Sequence, residues 1–409
     1  MSVRAGTGQG EAMSIRQAPA GERRTPADPT VLFVANFGTN TGYAWDTIER
    51  VFAGVAQQLE HRGLNAAVAY ADFDGGAPRS LEGTSVRAIT FDYRAAKRSA
   101  GGTLAFLRLL RRERVRVLYL TDQPTWSLRY ALFRLAGVRR ILVHDRTSGV
   151  RDTSALARRL KTLIHHLPLL PADRFIAVSG FVRQRLVRVN GTPADRTVTV
   201  YNGIPLARFA ESDPGHLSRE LGVDPARPVI LCSGRMQSYK GIQVALRAVR
   251  SLRDRPDRPL LVVCGAGPDL DGFRELAARL ELGDAVLFTG RRNDVPRLLA
   301  GATVSVVPSL WAEAFGLTVV EAMAAGVPVV ASEIGGIPEL VDPDRTGVLV
   351  PPGDADALAV AVAGLLDAPE RRARIGRAAA RAARERFSAE RTVQEIARQI
   401  LTTYGSSTG

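Results

Sequence analysis

The feature that most narrows the folds open to this chain is an alternation of short apolar runs with longer amphipathic ones, which stops midway and starts again. In the first half, strand-like runs fall at residues 31–35, 66–70, 115–120, 141–144, 175–178 and 198–201. Between them lie helical stretches. One at 44–61 carries Ile48, Val51, Phe52, Val55 and Leu59 on one stripe, with Gly63 placed to end it. After Asn202-Gly203-Ile204-Pro205 a polar stretch, 207–228, interrupts the pattern. It then resumes with strands at 229–233, 260–264, 285–289, 303–307 and 327–331. Helices fit at 241–250, 270–280, 295–300, 316–325, 355–366 and 370–404. Runs this apolar suit strands buried on both faces, so each half reads as a parallel, doubly wound α/β sheet. Two such halves imply a cleft between them, where ligands of open sheets collect.

The 409 residues suffice for two domains. The expected division is a disordered tail at 1–28, an N-terminal domain at 29–206, a C-terminal domain at 207–385, and a last helix at 386–409 packing back on the N-terminal domain. The tail is rich in Gly, Ala, Pro, Arg and Glu without apolar period. No apolar run is long enough to span a bilayer and no signal peptide opens the chain, so a cytoplasmic protein is expected. Cys232 and Cys264 end apolar runs and read as small buried residues, since a metal site would need further soft ligands.

Charge is uneven. Residues 85–190 hold 22 Lys and Arg against 6 Asp and Glu, a local excess that accounts for the whole +14 of the chain. An anionic membrane surface, a phosphorylated acceptor or nucleic acid would suit it; so would a composition that simply drifts toward arginine. Lysine occurs only at 97, 161 and 240, so a lysine in a motif carries weight.

Two strand-to-helix junctions stand out. Pro308-Ser309-Leu310-Trp311-Ala312-Glu313-Ala314-Phe315-Gly316-Leu317 opens a helix at Gly316, where free amides of Gly316 and Leu317 would seat a phosphate. Glu313 lies in the loop before that seat and Glu321 two turns into the helix, both able to accept from sugar hydroxyls. Gly234-Arg235-Met236-Gln237-Ser238-Tyr239-Lys240-Gly241 brings Arg235 and Lys240 to a similar junction, a fork and a point charge for a diphosphate. Gly265-Ala266-Gly267-Pro268 lacks the third glycine of a dinucleotide fingerprint. Asp72-Phe73-Asp74 and Asp354-Ala355-Asp356 have acidic-pair spacing, but the first is a polar loop and Asp354 reads as a helix N-cap.

These residues resemble glycosyltransferase family 4, of the GT-B fold. The matching pieces are Ser233-Gly234-Arg235 through Lys240-Gly241, Phe288-Thr289-Gly290, Glu313-Ala314-Phe315-Gly316 with Glu321, Gly335-Gly336-Ile337-Pro338-Glu339, the run Gly347 to Asp354, and Tyr201-Asn202-Gly203-Ile204. The resemblance implies two Rossmann-like domains facing across a cleft. It also implies a retaining, metal-independent transfer of a hexose from a UDP or GDP sugar, with no cofactor. By the same resemblance His144 and Glu313 are the catalytic candidates, and His144 would bind the transferred sugar near its anomeric carbon. Gly42, Arg235, Lys240, Phe315, Gly316, Leu317 and Glu321 would bind the donor. Gly42 alone carries over from a first-loop Gly-Gly pair, because Thr41 precedes it.

The acceptor would be a glycan, a lipid-linked sugar or a phospholipid, met at the inner face of the membrane. The stretch 153–167 places Leu156, Leu160, Leu163, Ile164 and Leu167 on one helical face flanked by Arg158, Arg159 and Lys161. Residues 104–114 are likewise apolar and basic. Each can lie on an anionic membrane or face the core with a solvated basic rim. A disaccharide synthase or phosphorylase with soluble acceptors is the alternative on this fold. A basic nucleic-acid-binding protein is the distant alternative, since aromatic residues are only 6% of the chain and no reader motif appears.

Overall fold

The computed structural model describes residues 30–39, 43–149, 153–209 and 213–405. The tail expected at 1–28 and the candidate Gly42 lie outside the described residues. The first sheet holds β1 (Thr30–Val34), β2 (Asn65–Tyr70), β3 (Arg87–Thr90), β4 (Val115–Thr121), β5 (Arg140–Asp145), β6 (Arg174–Ala177) and β7 (Thr197–Thr199), in the order β3-β2-β1-β4-β5-β6-β7. The second holds β8 (Val229–Ser233), β9 (Leu260–Cys264), β10 (Val286–Gly290), β11 (Val304–Val307), β12 (Val329–Ser332) and β13 (Val348–Val350), in the order β10-β9-β8-β11-β12-β13. The pairings of β8 with β9 and β11, and of β12 with β13, are parallel. Both sheets thus have the Rossmann strand order, in which the chain reverses direction between the first and fourth strands.

By packing density the chain divides into two compact units, one running to Tyr119 with Leu135–Arg139 added, the other made of Leu120–Arg134 and everything from Arg140 on. In the first unit the helix Tyr43–Glu60 buries Val51, Phe52, Val55 and Leu59 of the stripe expected from sequence and leaves Ile48 half-buried. Phe52 meets Phe33 of β1 at 5.6 Å and Tyr119 of β4 at 5.8 Å between ring centres. The apolar, basic stretch at 104–114 largely takes its core-facing form here: Phe106, Leu109 and Leu110 of the helix Ala100–Arg112 are buried and only Leu104 is exposed.

The second unit contains β5 to β13. β8 and β9 read Val-Ile-Leu-Cys-Ser and Leu-Leu-Val-Val-Cys and are buried nearly throughout, because helices cover both faces of the sheet. Cys232 and Cys264 are buried free thiols, and burial pushes that of Cys232 up to about 12. Asp354 caps the helix Ala355–Leu366 by accepting from the Ala357 amide at 2.8 Å.

Four elements differ from the sequence reading. β3 and β13 are short edge strands whose three or four residues carry too little periodicity to be read alone. The polar stretch 207–228 contains a short helix, Gly215–Leu221, held by the single buried Leu217 and ended by Gly222 in the left-handed conformation. The helix expected at 370–404 is two helices, Pro369–Arg386 and Ala389–Gly405. The break comes where Ile204 donates to the Phe387 carbonyl at 2.9 Å and accepts from the Ala389 amide at 3.0 Å. That exchange takes the helical partners of both groups. Beyond it, Arg140 of β5 donates to the Thr403 carbonyl and Arg174 of β6 to Gln399, both at 2.9 Å, so the last helix is bonded to the first sheet.

Candidate functional site

β8 and β11 are paired neighbours, Val304 beside Ile230 and Ser305 beside Leu231, and they flank the switch point of the second sheet. The loops leaving their carboxyl ends are the two junctions singled out in the sequence. Ligands of open α/β sheets collect at this place because diverging loops leave a crevice there.

The two loops are bonded together. Leu310 and Trp311 donate their amides to the Tyr239 carbonyl at 2.8 and 3.3 Å. Gly241 sits at φ +76°, where a Cβ would come 1.7 Å from the Pro308 carbonyl oxygen, so only glycine lets the backbones approach. Across this seam Lys240 Nζ donates to Glu313 Oε1 at 2.6 Å, and Ser309 Oγ donates to the same oxygen at 2.8 Å. Side-chain exposures of 26% and 17% make Lys240 and Glu313 a half-buried ion pair. Arg235, five residues earlier, is exposed and ion-paired to no described residue. Its charge is available to a ligand.

The Gly265-Ala266-Gly267 turn supports the first loop. A Cβ on Gly265 would meet the Gly234 carbonyl at 1.8 Å and one on Gly267 the Met236 carbonyl at 2.4 Å. Met236 donates its amide to Ala266, and Asp269 accepts from the Ser238 amide at 2.6 Å. These glycines are therefore a bed for the Arg235–Lys240 loop.

Gly335 and Gly336 do the same for the second loop. Gly335 is at φ +62°, its Cβ position 2.4 Å from the Glu313 carbonyl, and Gly336 donates its amide to that carbonyl at 2.8 Å. Just beyond, Gly316 at φ +119° opens the helix Leu317–Ala324 with no side-chain cap, which leaves first-turn amides for an anion. Leu317 is half-buried and Glu321 is buried within the helix. The Phe315 ring is buried against Tyr201 at 6.0 Å and Phe387 at 5.8 Å. Only its backbone remains to face a ligand.

His144 ends β5, on the other sheet. It is buried, and that burial, with the Arg146 charge adding to it, holds its pKa well below the usual range. A neutral imidazole there can donate or accept but carries no charge. Its carbonyl accepts from the Asp122 amide at 2.9 Å. Asp122, missed in the sequence, directly follows β4 at φ +53° and accepts from the Arg146 amide at 2.8 Å, while burial raises its carboxyl pKa. Asp145 forms a 2.6 Å ion pair with Arg185.

Hydrogen bonds within the second unit join the ends of β5 and β6 to the loops of the second sheet. Trp311 Nε1 donates to Ser148 Oγ at 2.7 Å. Ser179 Oγ, after β6, donates to the Ala314 carbonyl at 2.6 Å. Glu339 accepts from the Gly180 and Phe181 amides at 2.7 and 2.6 Å, capping the helix Gly180–Arg188 with its carboxylate. Serine, tryptophan and a distant glutamate have no fixed spacing, so nothing in the sequence marked these contacts.

Arg158, Arg159 and Lys161 lie on the helix Ala155–Ile164. The two arginines are exposed, but Lys161 is tied inward to Thr153 Oγ1 and the Val189 carbonyl, both at 3.3 Å. Among the described residues no group of three or more His, Cys, Asp or Glu is placed to hold a metal ion.

Comparison with known proteins places the chain by sequence span and by fold. Residues 48–208 match the family described as Glycosyltransferase Family 4, and residues 216–382 the one described as Glycosyl transferases group 1, together most of the chain. D-inositol 3-phosphate glycosyltransferase 2 of Catenulispora acidiphila is 40% identical over 217 residues, 50% of each chain. N-acetyl-alpha-D-glucosaminyl L-malate synthase of Bacillus anthracis is 32% identical over 197 residues, 48% of this chain and 51% of its own. The chain thus spans about half the length of the curated relatives it matches. Among solved structures, a glycosyltransferase from Rickettsia africae superposes with a TM-score of 0.77 at 20% identity, over 93% of this chain and 100% of its own. Anabaena HepE in complex with UDP and glucose superposes at 0.74 with 22% identity, over 91% and 100%. At those identities the likeness is one of fold. With both modules matched in order, and each Rossmann-like sheet in place, the chain belongs to the family 4 glycosyltransferases of the GT-B fold.

Proposed function

We propose that this protein transfers a hexose from a UDP or GDP sugar, with retention at the anomeric carbon, to a glycan, lipid-linked or phospholipid acceptor at the inner face of the membrane. The observation that carries the donor part is the Lys240–Glu313 pair beside the open N-terminus at Gly316. Lys240, Arg235 and the first-turn amides offer three kinds of positive contact to a diphosphate, enough to meet its charge without a metal ion or cofactor. Glu313 accepts from hydroxyls of the reacting sugar, and Glu321 from the ribose. In this reading a neutral His144 imidazole holds the sugar near the anomeric carbon. The acceptor oxygen bonds to that carbon on the face from which the diphosphate leaves, and its proton passes to the departing phosphate oxygen. The UDP bound by HepE supports a nucleotide donor.

A soluble acceptor is the second reading, favoured by the relatives named for inositol 3-phosphate and malate. The test is to incubate the protein with UDP-glucose or GDP-mannose in EDTA, with inositol 3-phosphate in one arm and a bacterial lipid extract in the other. Proton NMR of the product gives its anomeric configuration. An α-linked product from an α-donor supports the proposal, and the productive arm identifies the acceptor class. A β-linked product would refute retention, and activity restored only by magnesium or manganese would refute the metal-free clamp.

A further inference from the structure

The helix Ala155–Ile164 buries none of its residues. Its apolar face is nevertheless made of leucines: Leu156, Leu160 and Leu163 are 78%, 58% and 65% exposed. Leu167, just past the helix, continues the stripe and is also exposed. Of the two forms open to this stretch, the core-facing one is therefore not adopted.

The orientation is fixed by what holds the opposite side. His165 is buried edge-on against Phe175 at 5.6 Å between ring centres, and its carbonyl accepts from Arg196 at 2.7 Å. Lys161 bonds to Val189. Gly191 at φ +72° lies so close that a Cβ there would come 2.8 Å from the Thr162 amide. The helix is clamped along this side, and its leucines point away.

Further exposed leucines lie on another helix of the same unit. Leu128 and Leu132, one turn apart on the helix Leu128–Leu135, are 72% and 41% exposed. The start of that helix is bonded to the segment that follows the first stripe, Ser127 donating to Leu170 at 2.9 Å and Ala172 to Thr125 at 3.0 Å. Large exposed apolar areas on a folded protein mark interaction surfaces. Charge decides among occupants: Arg158 and Arg159 are exposed beside the leucines, with no ion-pair partner among the described residues, in a stretch holding 22 basic against 6 acidic residues.

We infer that these two leucine stripes form a docking face for an anionic lipid bilayer, the leucines entering the headgroup–acyl boundary and Arg158 and Arg159 meeting lipid phosphates. Shallow burial of an apolar helix face with basic flanks is the physics of interfacial helices. No described helix is long and apolar enough to cross a membrane. The face deepens the acceptor side of the proposed function and rests on it only for its purpose.

The test is sedimentation of the full chain with vesicles of phosphatidylglycerol and phosphatidylcholine, with donor turnover measured in parallel. Binding to anionic vesicles that falls as salt rises is expected. Leu156→Asn, Leu160→Asn and Leu163→Asn combined should weaken it by about tenfold or more, since three exposed leucines lose their apolar burial. Arg158→Gln with Arg159→Gln should weaken it mainly at low salt. Because all five side chains are exposed, thermal melting should stay unchanged in both variants. No binding to anionic vesicles overturns the inference, as does equal binding by the leucine variant. A wild-type dimer that the leucine variant makes monomeric, with no vesicle binding by either, overturns it in favour of a second copy of the chain. Donor turnover without vesicle binding would sink the docking face alone and leave the donor chemistry standing.

Discussion

Replacing Lys240 by alanine tests the heart of the donor clamp. In the structure Lys240 Nζ lies 2.6 Å from Glu313 Oε1, both half-buried. A charge-assisted hydrogen bond to a diphosphate contributes about 1.5–3 kcal/mol, or roughly 10- to 150-fold in affinity at 1.4 kcal/mol per decade. Part of that is offset, because Lys240 must share or leave Glu313 when it takes a phosphate oxygen. The expected loss on Lys240→Ala therefore lies toward the lower end, about tenfold in the Kd for UDP by calorimetry. The same competition gives an opposite-sign control. Glu313→Gln removes a negative charge beside the diphosphate and frees the lysine, so UDP should bind about two- to fivefold more tightly, as expected for an exposed-to-half-buried charge pair. Turnover should nonetheless fall, since in the proposed function Glu313 positions the sugar. Unchanged UDP affinity in Lys240→Ala, with its melting temperature intact, would refute the clamp.

Other consequences can be checked separately. Gly241→Ala should destabilise the fold by about 2 kcal/mol or more in urea, because it adds left-handed strain to a collision with the Pro308 carbonyl. Asp294 is held well below the usual carboxylate range, chiefly by Arg292, which donates at 2.6 Å. A lowered folded pKa stabilises above the unfolded value of about 4 and fades as pH falls below it, so the stability gap between wild type and Arg292→Met should be about 1 kcal/mol at pH 7 and shrink in acid. A gap that grows in acid would contradict this. Native Cys232, its pKa pushed up to about 12 by burial, should resist iodoacetamide at pH 8 and react only in denaturant.

How much of this was legible in the sequence depends on what each residue needed. The second sheet could be read nearly strand for strand because runs such as Val-Ile-Leu-Cys-Ser are buried on both faces and carry their own signal. The two junction loops were legible for the same reason: a glycine between a buried strand and a helix has few other uses. What the sequence hid was partnership. Asp122 becomes notable only once β4 lies beside His144, and Glu339, though inside a motif, shows its partners only once the helix starting at Gly180 meets its carboxylate. Phe315 looked like a ligand contact because it sits inside the motif, but its ring belongs to the cluster with Tyr201 and Phe387. Periodicity shows that Leu156, Leu160 and Leu163 share a face but not whether anything covers it, so their exposure needed the fold.

The central claim is that the Lys240–Glu313 seam joining the β8 and β11 loops, with the helix start at Gly316, takes a nucleotide diphosphate sugar. Calorimetric titration of the wild-type chain in EDTA with UDP, GDP, ADP and dTDP sugars tests it most directly. The account predicts one-to-one binding of at least one UDP or GDP sugar, weakened by Arg235→Ala and by Lys240→Ala. A folded protein that binds none of the four, or binds one with no change in either variant, would contradict it.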